Sequence, residues 1–262
     1  MAMNHVVYRQ AEIMGSNQNK ILVALDVSTL DEALKLVYQL RDLVGGFKVG
    51  LELCTSAVTQ QVIDAISKAG GSLFVDLKFK DTPTTVYGAA RACAREGVLM
   101  MNVHCDGGSE MMNAAVTAVH ASPYRPLVIG VTVLTSIAEQ TLNEEIRVPG
   151  KIETQVVALS ALAKQAGLNG VVCSAHEVQA IKDACGRDFV TVVPGVRPQW
   201  AASNDQKRIM TPGQAVQAGA DFLVIGRPIT RPPAAIGSAV EAAKLIAAEM
   251  EASEPGVPVN LH

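Results

Sequence analysis

The stretch "SLFVDLKF" at residues 72–79 combines an apolar strand pattern with two charged residues. Its odd-numbered residues are all apolar, whereas Asp76 and Lys78 occupy even-numbered positions. Because successive side chains of a β-strand point to opposite faces, this segment would present one wholly apolar face. We expect that face to pack beneath helices, and we expect Asp76 and Lys78 to point together into the interior of a barrel.

Seven other short apolar runs alternate with segments in which apolar residues recur at helical spacing. They are "KILVALDV" (20–27), "GFKVGLEL" (46–53), "VLMMNVHC" (98–105), "PLVIGVTVLT" (126–135), "GVVCSA" (170–175), "FVTVVPGV" (189–196) and "FLVIGRPI" (222–229). Eight such units without a break in composition predict an α/β fold, a single (β/α)8 TIM barrel over residues 20–250. A doubly wound open sheet is the alternative. Residues 1–19 then form an N-terminal extension, and residues 251–262 form a C-terminal tail.

The composition narrows the class of protein. Of 262 residues, 49% are hydrophobic and 18% are charged, which argues against a disordered chain. The net charge of −3 and the lack of a dense Lys/Arg run do not suggest a nucleic-acid or membrane partner. No uninterrupted apolar run is long enough to cross a bilayer, and the N-terminal stretch "MAMNHVVYRQAEIMGSNQ" lacks the long apolar core of a signal peptide. The five cysteines are scattered without a CxxC pair, which predicts reduced thiols in a cytoplasmic protein.

Three further strand candidates place polar residues on the inward face. The second carries Lys48 and Glu52, the first ends at Asp26, and the fourth carries Asn102 and His104. Barrel enzymes build their active sites at the carboxyl ends of the strands, where these residues fall. Buried charge is costly unless it is paired, so the Asp and Lys residues must neutralise one another or serve a function.

Three of the polar residues near these strand ends have plainer interpretations. Asp26 alone is equally consistent with a helix cap or a turn. Lys80 has the opposite parity from Asp76 and Lys78, which favours a solvated side chain. His104 fits a hydrogen-bonded residue of a barrel layer better than it fits a catalyst.

The last two strands are followed by turns that suit a phosphate group. The segments are "PGVRPQ" (194–199) and "IGRP" (225–228). Barrels commonly bind phosphate with the loops after strands seven and eight. Gly226 would let backbone N–H groups approach an oxyanion, and Arg227 offers a bidentate fork. The alternative is that these Gly and Pro residues only turn the chain.

The segment "DLKFKDTPTT" (76–85) is similar to the D-x-K-x-x-D-I-P-x-T signature of the orotidine 5′-phosphate decarboxylase family. Thr82 stands where that family usually has Ile, a departure that bears on packing more than on chemistry. The resemblance extends over residues 20–245, and within the family these segments are similar to those of the bacterial branch. Its other segments are "VALD", "FKVG", "MNVHCDGG", "VTVLTS", "VVPGVRP", "DQKRIMTP" and "VIGRPI".

The resemblance implies decarboxylation of orotidine 5′-phosphate to uridine 5′-phosphate in pyrimidine synthesis, without a metal or an organic cofactor. It also implies a homodimer whose active sites lie at the subunit interface. Lys48, Asp76, Lys78 and Asp81 would form a charged array in which Lys78 is the proton donor and Asp81 reaches into the partner's site.

The resemblance further implies contacts to the ribose, the pyrimidine and the phosphate. The ribose contacts would come from Asp26, Lys48 and, across the interface, Thr85, the pyrimidine contacts from Thr135 and Ser136, and the phosphate contacts from Arg197, Gln206, Gly226 and Arg227.

Two other functions remain open at this point. A metal-dependent sugar-phosphate decarboxylase or aldolase on a similar barrel would bind Mg²⁺ through carboxylates, for which Glu52 and Asp76 are the candidates. A non-catalytic barrel that binds a phosphate ligand would keep the phosphate-binding residues after strands seven and eight. It would lack part of the charged array of Asp and Lys residues.

Overall fold

Eight parallel strands close into a barrel in the order of the sequence. The computed structural model describes residues 17–201 and 210–253. The strands are β1 (Ile21–Ala24), β2 (Gly46–Gly50), β3 (Leu73–Phe79), β4 (Val98–His104), β5 (Leu127–Val131), β6 (Gly170–Val172), β7 (Val190–Pro194) and β8 (Phe222–Ile225). The predicted single (β/α)8 barrel is confirmed, and the alternative of a doubly wound open sheet is wrong because β8 pairs with β1.

Helices connect the strands. They are α1 (Leu30–Leu40), α2 (Leu51–Ser56), α3 (Thr59–Lys68), α4 (Pro83–Cys93), α5 (Ser109–His120), α6 (Glu139–Glu144), α7 (Ile152–Gln165), α8 (Val178–Cys185), α9 (Pro212–Gln217), α10 (Arg227–Thr230) and α11 (Ala239–Ala252). Short 3₁₀ turns cover Asn17–Lys20, Cys105–Gly107, Ala175–Glu177 and Gln199–Ala201. Over the described ranges, none of these helices has both the length and the apolar character needed to cross a bilayer.

Local sequence signals account for several helix ends. Helix α11 begins after Ser238, whose side chain accepts a hydrogen bond from the Glu241 N–H while the Glu241 carboxylate accepts one from the Ser238 N–H. This reciprocal cap satisfies two N–H groups that have no partner within the helix. Helix α8 ends at Cys185 and is followed by Gly186, which has a φ of 89° and donates its N–H to the Lys182 carbonyl. Such a backbone conformation is readily available only to glycine.

Two apolar layers enclose the barrel wall. The outer layer lies between the strands and the helices, and the interior layer fills the barrel with Leu22, Ala24, Phe74, Met100, Leu127, Ile129, Val192, Phe222 and Val224. Alternation along β3 is as predicted, since Leu73, Val75, Leu77 and Phe79 all pack in the outer layer.

Strand β2 ends earlier than its apolar run predicts. Its ladder with β3 closes at the pair Gly50 and Asp76, and the chain turns into helix α2 at Leu51. Strand alternation therefore no longer applies to Leu51 and Glu52, and both are exposed. The prediction that Glu52 points into the barrel is wrong for this reason.

Candidate active site

A cavity of about 340 Å³ opens at the carboxyl ends of the strands. Strands β1 to β3 and the residues that follow them supply a charged wall, which contains Asp26, Lys48, Asp76 and Lys78. The end of β5 and the loop after it supply an apolar wall, which contains Val131, Val133 and Leu134. The loops after β7 and β8 close the far side with Arg197, Gly226 and Arg227. One cavity thus brings together charged, apolar and cationic surfaces.

The charged wall is a continuous chain of ion pairs with alternating sign. Lys48 Nζ lies 2.8 Å from Asp26 Oδ1 and 3.6 Å from Asp76 Oδ2. Lys78 Nζ lies 2.7 Å from Asp76 Oδ1. The Lys48 and Asp76 side chains are only 11% and 12% exposed, whereas the Asp26 side chain is 58% exposed. The pairing stabilises charge that would otherwise be costly to bury.

The backbone at Lys78 departs from a regular strand. Strand β3 pairs with β4 at Val75 and Met101 and next at Phe79 and Val103, so three β3 residues lie opposite one β4 residue. Lys78 has a φ of 52°, in the left-handed region. The prediction that Lys78 reaches the barrel interior is confirmed by its place in the cavity wall, but a bulge carries it there.

Gly50 leaves space for a side chain of the charged wall, a role that the sequence pattern did not indicate. A Cβ atom at Gly50 would lie 3.1 Å from Lys48 Nζ, which is closer than most Cβ contacts in proteins. The missing side chain therefore leaves room for the Lys48 ammonium group beside Asp76. A glycine at the end of a strand that also carries an inward lysine is the sequence signal that could have revealed this role.

The predicted substrate contacts divide into two groups in the described ranges. Thr135, Arg197, Gly226 and Arg227 line the cavity. Ser136 is exposed and is not among the lining residues of the described chain. Gln206 lies outside the described residues.

Asp81 lies just before helix α4 and Thr85 lies in its first turn, and both are outside the described cavity wall. Asp81 is exposed, and its Oδ1 accepts a hydrogen bond from the Thr82 N–H at 2.6 Å. The hydroxyl oxygens of Thr82 and Thr85 are 3.0 Å apart. Thr82 is also exposed, so its difference from the usual Ile affects surface packing within this chain. The role of Asp81 and Thr85 in a partner's site stays a prediction.

Lys80 and His104 meet at Asp106, outside the charged wall. Lys80 Nζ lies 2.6 Å from Asp106 Oδ2, and both side chains are about half exposed. His104 Nδ1 lies 3.7 Å from Asp106 Oδ1. Burial lowers the pKa of His104, and the Asp106 carboxylate opposes that shift. Neither Lys80 nor His104 is a lining residue of the described cavity. The half exposure of Lys80 agrees with the solvated side chain expected for it, whereas a hydrogen-bonded barrel-layer role for His104 stays a prediction.

Glu52 lies on the exposed surface of helix α2, where it accepts a hydrogen bond from Ser28 Oγ at 3.0 Å. It is not a lining residue in the part of the chain that the structure describes. The proposed pair of metal-binding carboxylates, Glu52 and Asp76, is therefore not brought together in the cavity wall.

Comparison with known proteins places this geometry in a family. A family model described as "Orotidine 5′-phosphate decarboxylase / HUMPS family" matches residues 19–243. The chain belongs to this family. Two curated relatives named orotidine 5′-phosphate decarboxylase come from Syntrophomonas wolfei and Moorella thermoacetica. The first is 47% identical and covers 89% of this chain and 98% of the relative. The second is 46% identical and covers 94% of this chain and 98% of the relative.

A solved structure of a family member supports the same assignment. The crystal structure of orotidine 5′-phosphate decarboxylase from Lactobacillus acidophilus has a TM-score of 0.76 and 34% identity, and the match covers 88% of this chain and 98% of that one. The resemblance of residues 20–245 to the orotidine 5′-phosphate decarboxylase family is therefore confirmed.

Proposed function

We propose that this chain decarboxylates orotidine 5′-phosphate to uridine 5′-phosphate in pyrimidine synthesis. The observation that carries the proposal is the chain of alternating charges from Asp26 through Lys48 and Asp76 to Lys78 within one cavity. The curated relatives bear the name of the same activity. A non-catalytic phosphate-binding barrel would lack part of this chain of charges, whereas here all four side chains are present and paired.

The reaction demands a fixed positive charge. Loss of CO₂ leaves a carbanion on a ring carbon of the pyrimidine, and no electron sink lies next to that carbon. A cation held against the developing charge stabilises the transition state, because a preorganised group need not reorient during the reaction. Lys78 supplies such an ammonium group and then delivers its proton to the same carbon. We therefore propose that no metal or organic cofactor takes part.

Asp76 sets the position of the proton donor. Its Oδ1 accepts from Lys78 Nζ at 2.7 Å, and its Oδ2 lies 3.6 Å from Lys48 Nζ. The carboxylate is therefore held between two ammonium groups. A carboxylate placed here would also lie near the carboxylate of the substrate, and positioning of Lys78 is the role that we assign to it. Asp26 and Lys48 would hold the ribose hydroxyl groups.

The rest of the cavity suits the other parts of a nucleotide. Its volume of about 340 Å³ falls in the range of small-molecule sites. We assign the apolar wall and Thr135 to the pyrimidine, with Ser136 as its neighbour. We assign Arg197, Gly226 and Arg227 to the phosphate, together with Gln206 from outside the described residues.

Two features of the proposal concern the assembly and the compartment. We propose a homodimer in which Asp81 and Thr85 complete the partner's site, because both are exposed beside the carboxyl end of β3. All five cysteines are free and buried, which supports the proposal that the protein is located in the reducing cytoplasm. We propose no nucleic-acid or membrane partner.

Replacing Arg227 with alanine is expected to lower kcat/KM for the nucleotide by about 100-fold, because charge-assisted hydrogen bonds to the phosphate are lost. Part of the loss should fall on kcat, since binding energy from a remote group can help to order the site. Steady-state kinetics with orotidine 5′-phosphate and with the phosphate-free nucleoside test this expectation.

The matched control is Arg231→Ala, because Arg231 is exposed one turn later and is not a lining residue of the described cavity. It should leave the kinetics near those of the wild type. If Arg227→Ala loses as much activity on the nucleoside as on the nucleotide, Arg227 does not bind the phosphate.

The proposed activity is tested by mixing the purified protein with orotidine 5′-phosphate and following the loss of its ultraviolet absorbance. The buffer contains EDTA, because a metal-dependent sugar-phosphate enzyme would stop under this condition. We expect turnover that is insensitive to the chelator. An unchanged absorbance with folded protein would reject the proposed function.

A further inference from the structure

Asn102 on strand β4 is the one residue that lies opposite the bulge of β3. The pairs on either side are Val75 with Met101 and Phe79 with Val103. Asp76 and Lys78 both belong to the bulge, so Asn102 lies directly across from the charged wall. Its side chain is fully buried. A buried amide is costly unless its donor and its acceptor are both used.

Both ends of the Asn102 amide are used, and both contact the charged wall. Its Nδ2 donates to Asp76 Oδ1 at 2.6 Å. Its Oδ1 accepts from the backbone N–H of Lys78 at 2.8 Å. The partners fix the orientation of the amide, because a carboxylate can only accept and a backbone N–H can only donate. No other uncharged side chain of this size offers a donor and an acceptor at the same spacing.

The contact to the Lys78 backbone meets a need that the bulge creates. With a φ of 52°, Lys78 adopts a conformation that residues with a Cβ rarely adopt. Such a conformation persists only when its surroundings hold it in place. The Asn102 carbonyl oxygen supplies a partner for the Lys78 N–H at this point of the bulge. It thereby fixes the direction in which the Lys78 side chain leaves the backbone.

The contact to Asp76 matters when the proton moves. Lys78 Nζ and Asn102 Nδ2 donate to the same oxygen, Asp76 Oδ1. After Lys78 has given its proton to the ring carbon, its attraction for that oxygen weakens. The Asn102 amide keeps its own hydrogen bond and holds the carboxylate in place until Lys78 is protonated again.

We propose that Asn102 is a positioning residue that aligns Lys78 and Asp76 for decarboxylation. This inference rests on the proposed function, since it concerns the same site and the same reaction. Asn102 is not among the cavity-lining residues of the described chain, so it acts through its two neighbours and not on the substrate.

The test compares two replacements of nearly the same size. Asn102→Leu removes both hydrogen bonds and is expected to lower kcat by about 10- to 100-fold. Its KM, and its Kd for uridine 5′-phosphate, should stay within about threefold of wild type, because the groups that bind substrate are retained. Asn102→Asp keeps an acceptor for the Lys78 N–H and puts a second carboxylate against Asp76.

The aspartate variant gives a signal that a purely structural role would not give. Two carboxylates in contact cannot both be ionised at low cost, so one of them takes up a proton as the pH falls. A protonated Asp at position 102 can donate to Asp76 as the amide does. The kcat of Asn102→Asp relative to wild type should therefore rise on acidification, whereas that of Asn102→Leu should not. In the part of the chain that the structure describes, the other charged or titratable groups that interact with Asp76 are Lys48, Lys78, His104 and Cys54, and they are common to every variant compared.

The matched control is Asn169→Leu. Asn169 Oδ1 also accepts a backbone N–H from a neighbouring strand, that of Val128 at 2.9 Å, but at the opposite end of the barrel. This variant should keep the wild-type kcat even if it melts at a lower temperature.

The outcomes separate the inference from the proposed function. An inactive wild type rejects the proposed function and the inference with it. An active wild type together with a folded Asn102→Leu that keeps its kcat rejects the inference alone. Equal losses of kcat and of affinity for uridine 5′-phosphate, or failure of both Asn102 variants to fold, would also overturn it, because Asn102 would then serve the structure of the barrel.

Discussion

Lys78→Ala is expected to lower kcat by about 10⁴-fold or more, because the variant loses both the proton donor and the cation that stabilises the carbanion. The loss should appear in kcat more than in KM, since the ammonium group acts mainly in the transition state. The barrel should stay folded. Asp76 would keep the hydrogen bond from Asn102 and the ion pair with Lys48, so the substitution leaves no unpaired buried carboxylate.

The matched control for this substitution is Lys80→Ala. Lys80 follows Lys78 by two residues and has an ion pair of its own with Asp106 at 2.6 Å, outside the charged wall. Its replacement should leave kcat within about threefold of wild type, as is usual for an exposed ion pair. A folded Lys78→Ala protein that keeps most of its kcat would reject Lys78 as the proton donor.

Mixing two inactive variants is expected to restore about one quarter of the wild-type activity, because the two-fold symmetry of a dimer lets one chain complete the other's site. The variants are Lys78→Ala and Asp81→Ala, and each homodimer should be nearly inactive. After dissociation and reassociation, about half of the dimers are hybrids in a random mixture. In a hybrid, one site receives both substitutions and the other receives neither. The recovered activity per subunit is the measurement.

The control for the mixing experiment pairs Lys78→Ala with Asp76→Ala. These two residues contact each other within one chain, so every site of such a hybrid carries one of the substitutions. Mixing should restore nothing in this case. If the Lys78→Ala and Asp81→Ala pair also stays inactive although subunit exchange is demonstrated, for example by mass spectrometry of tagged chains, the shared site is rejected.

The sequence predicted the barrel because its signals are local and repeated. Alternation in β3 places Leu73 and Val75 outside and Asp76 inside, and this requires only that the strand be regular over a few residues. The same rule fails at the carboxyl ends, where strands give way to loops. Glu52 has the same parity as the inward-facing Lys48, but helix α2 begins at Leu51, one residue before Glu52.

Lys78 shows a different limit of prediction from sequence. Parity placed it in the cavity, yet the structure reaches that position through a bulge and a left-handed residue. At the bulge, where β3 pairs irregularly with β4, the Lys78 N–H donates to the side chain of Asn102, which lies 24 residues away in the sequence. Strand patterns do not report such contacts between distant residues. Similarly, a single chain does not reveal where the Asp81 side chain lies in an assembly.

The most direct test of decarboxylation follows the carbon atom that is lost. Orotidine 5′-phosphate labelled with ¹³C in its carboxylate is mixed with the purified protein in the presence of EDTA and followed by NMR. Decarboxylation by this protein predicts that the label appears as CO₂ and bicarbonate in step with an equal amount of uridine 5′-phosphate. Label that stays on the nucleotide, or conversion that the chelator stops, would contradict decarboxylation by the Lys and Asp side chains alone.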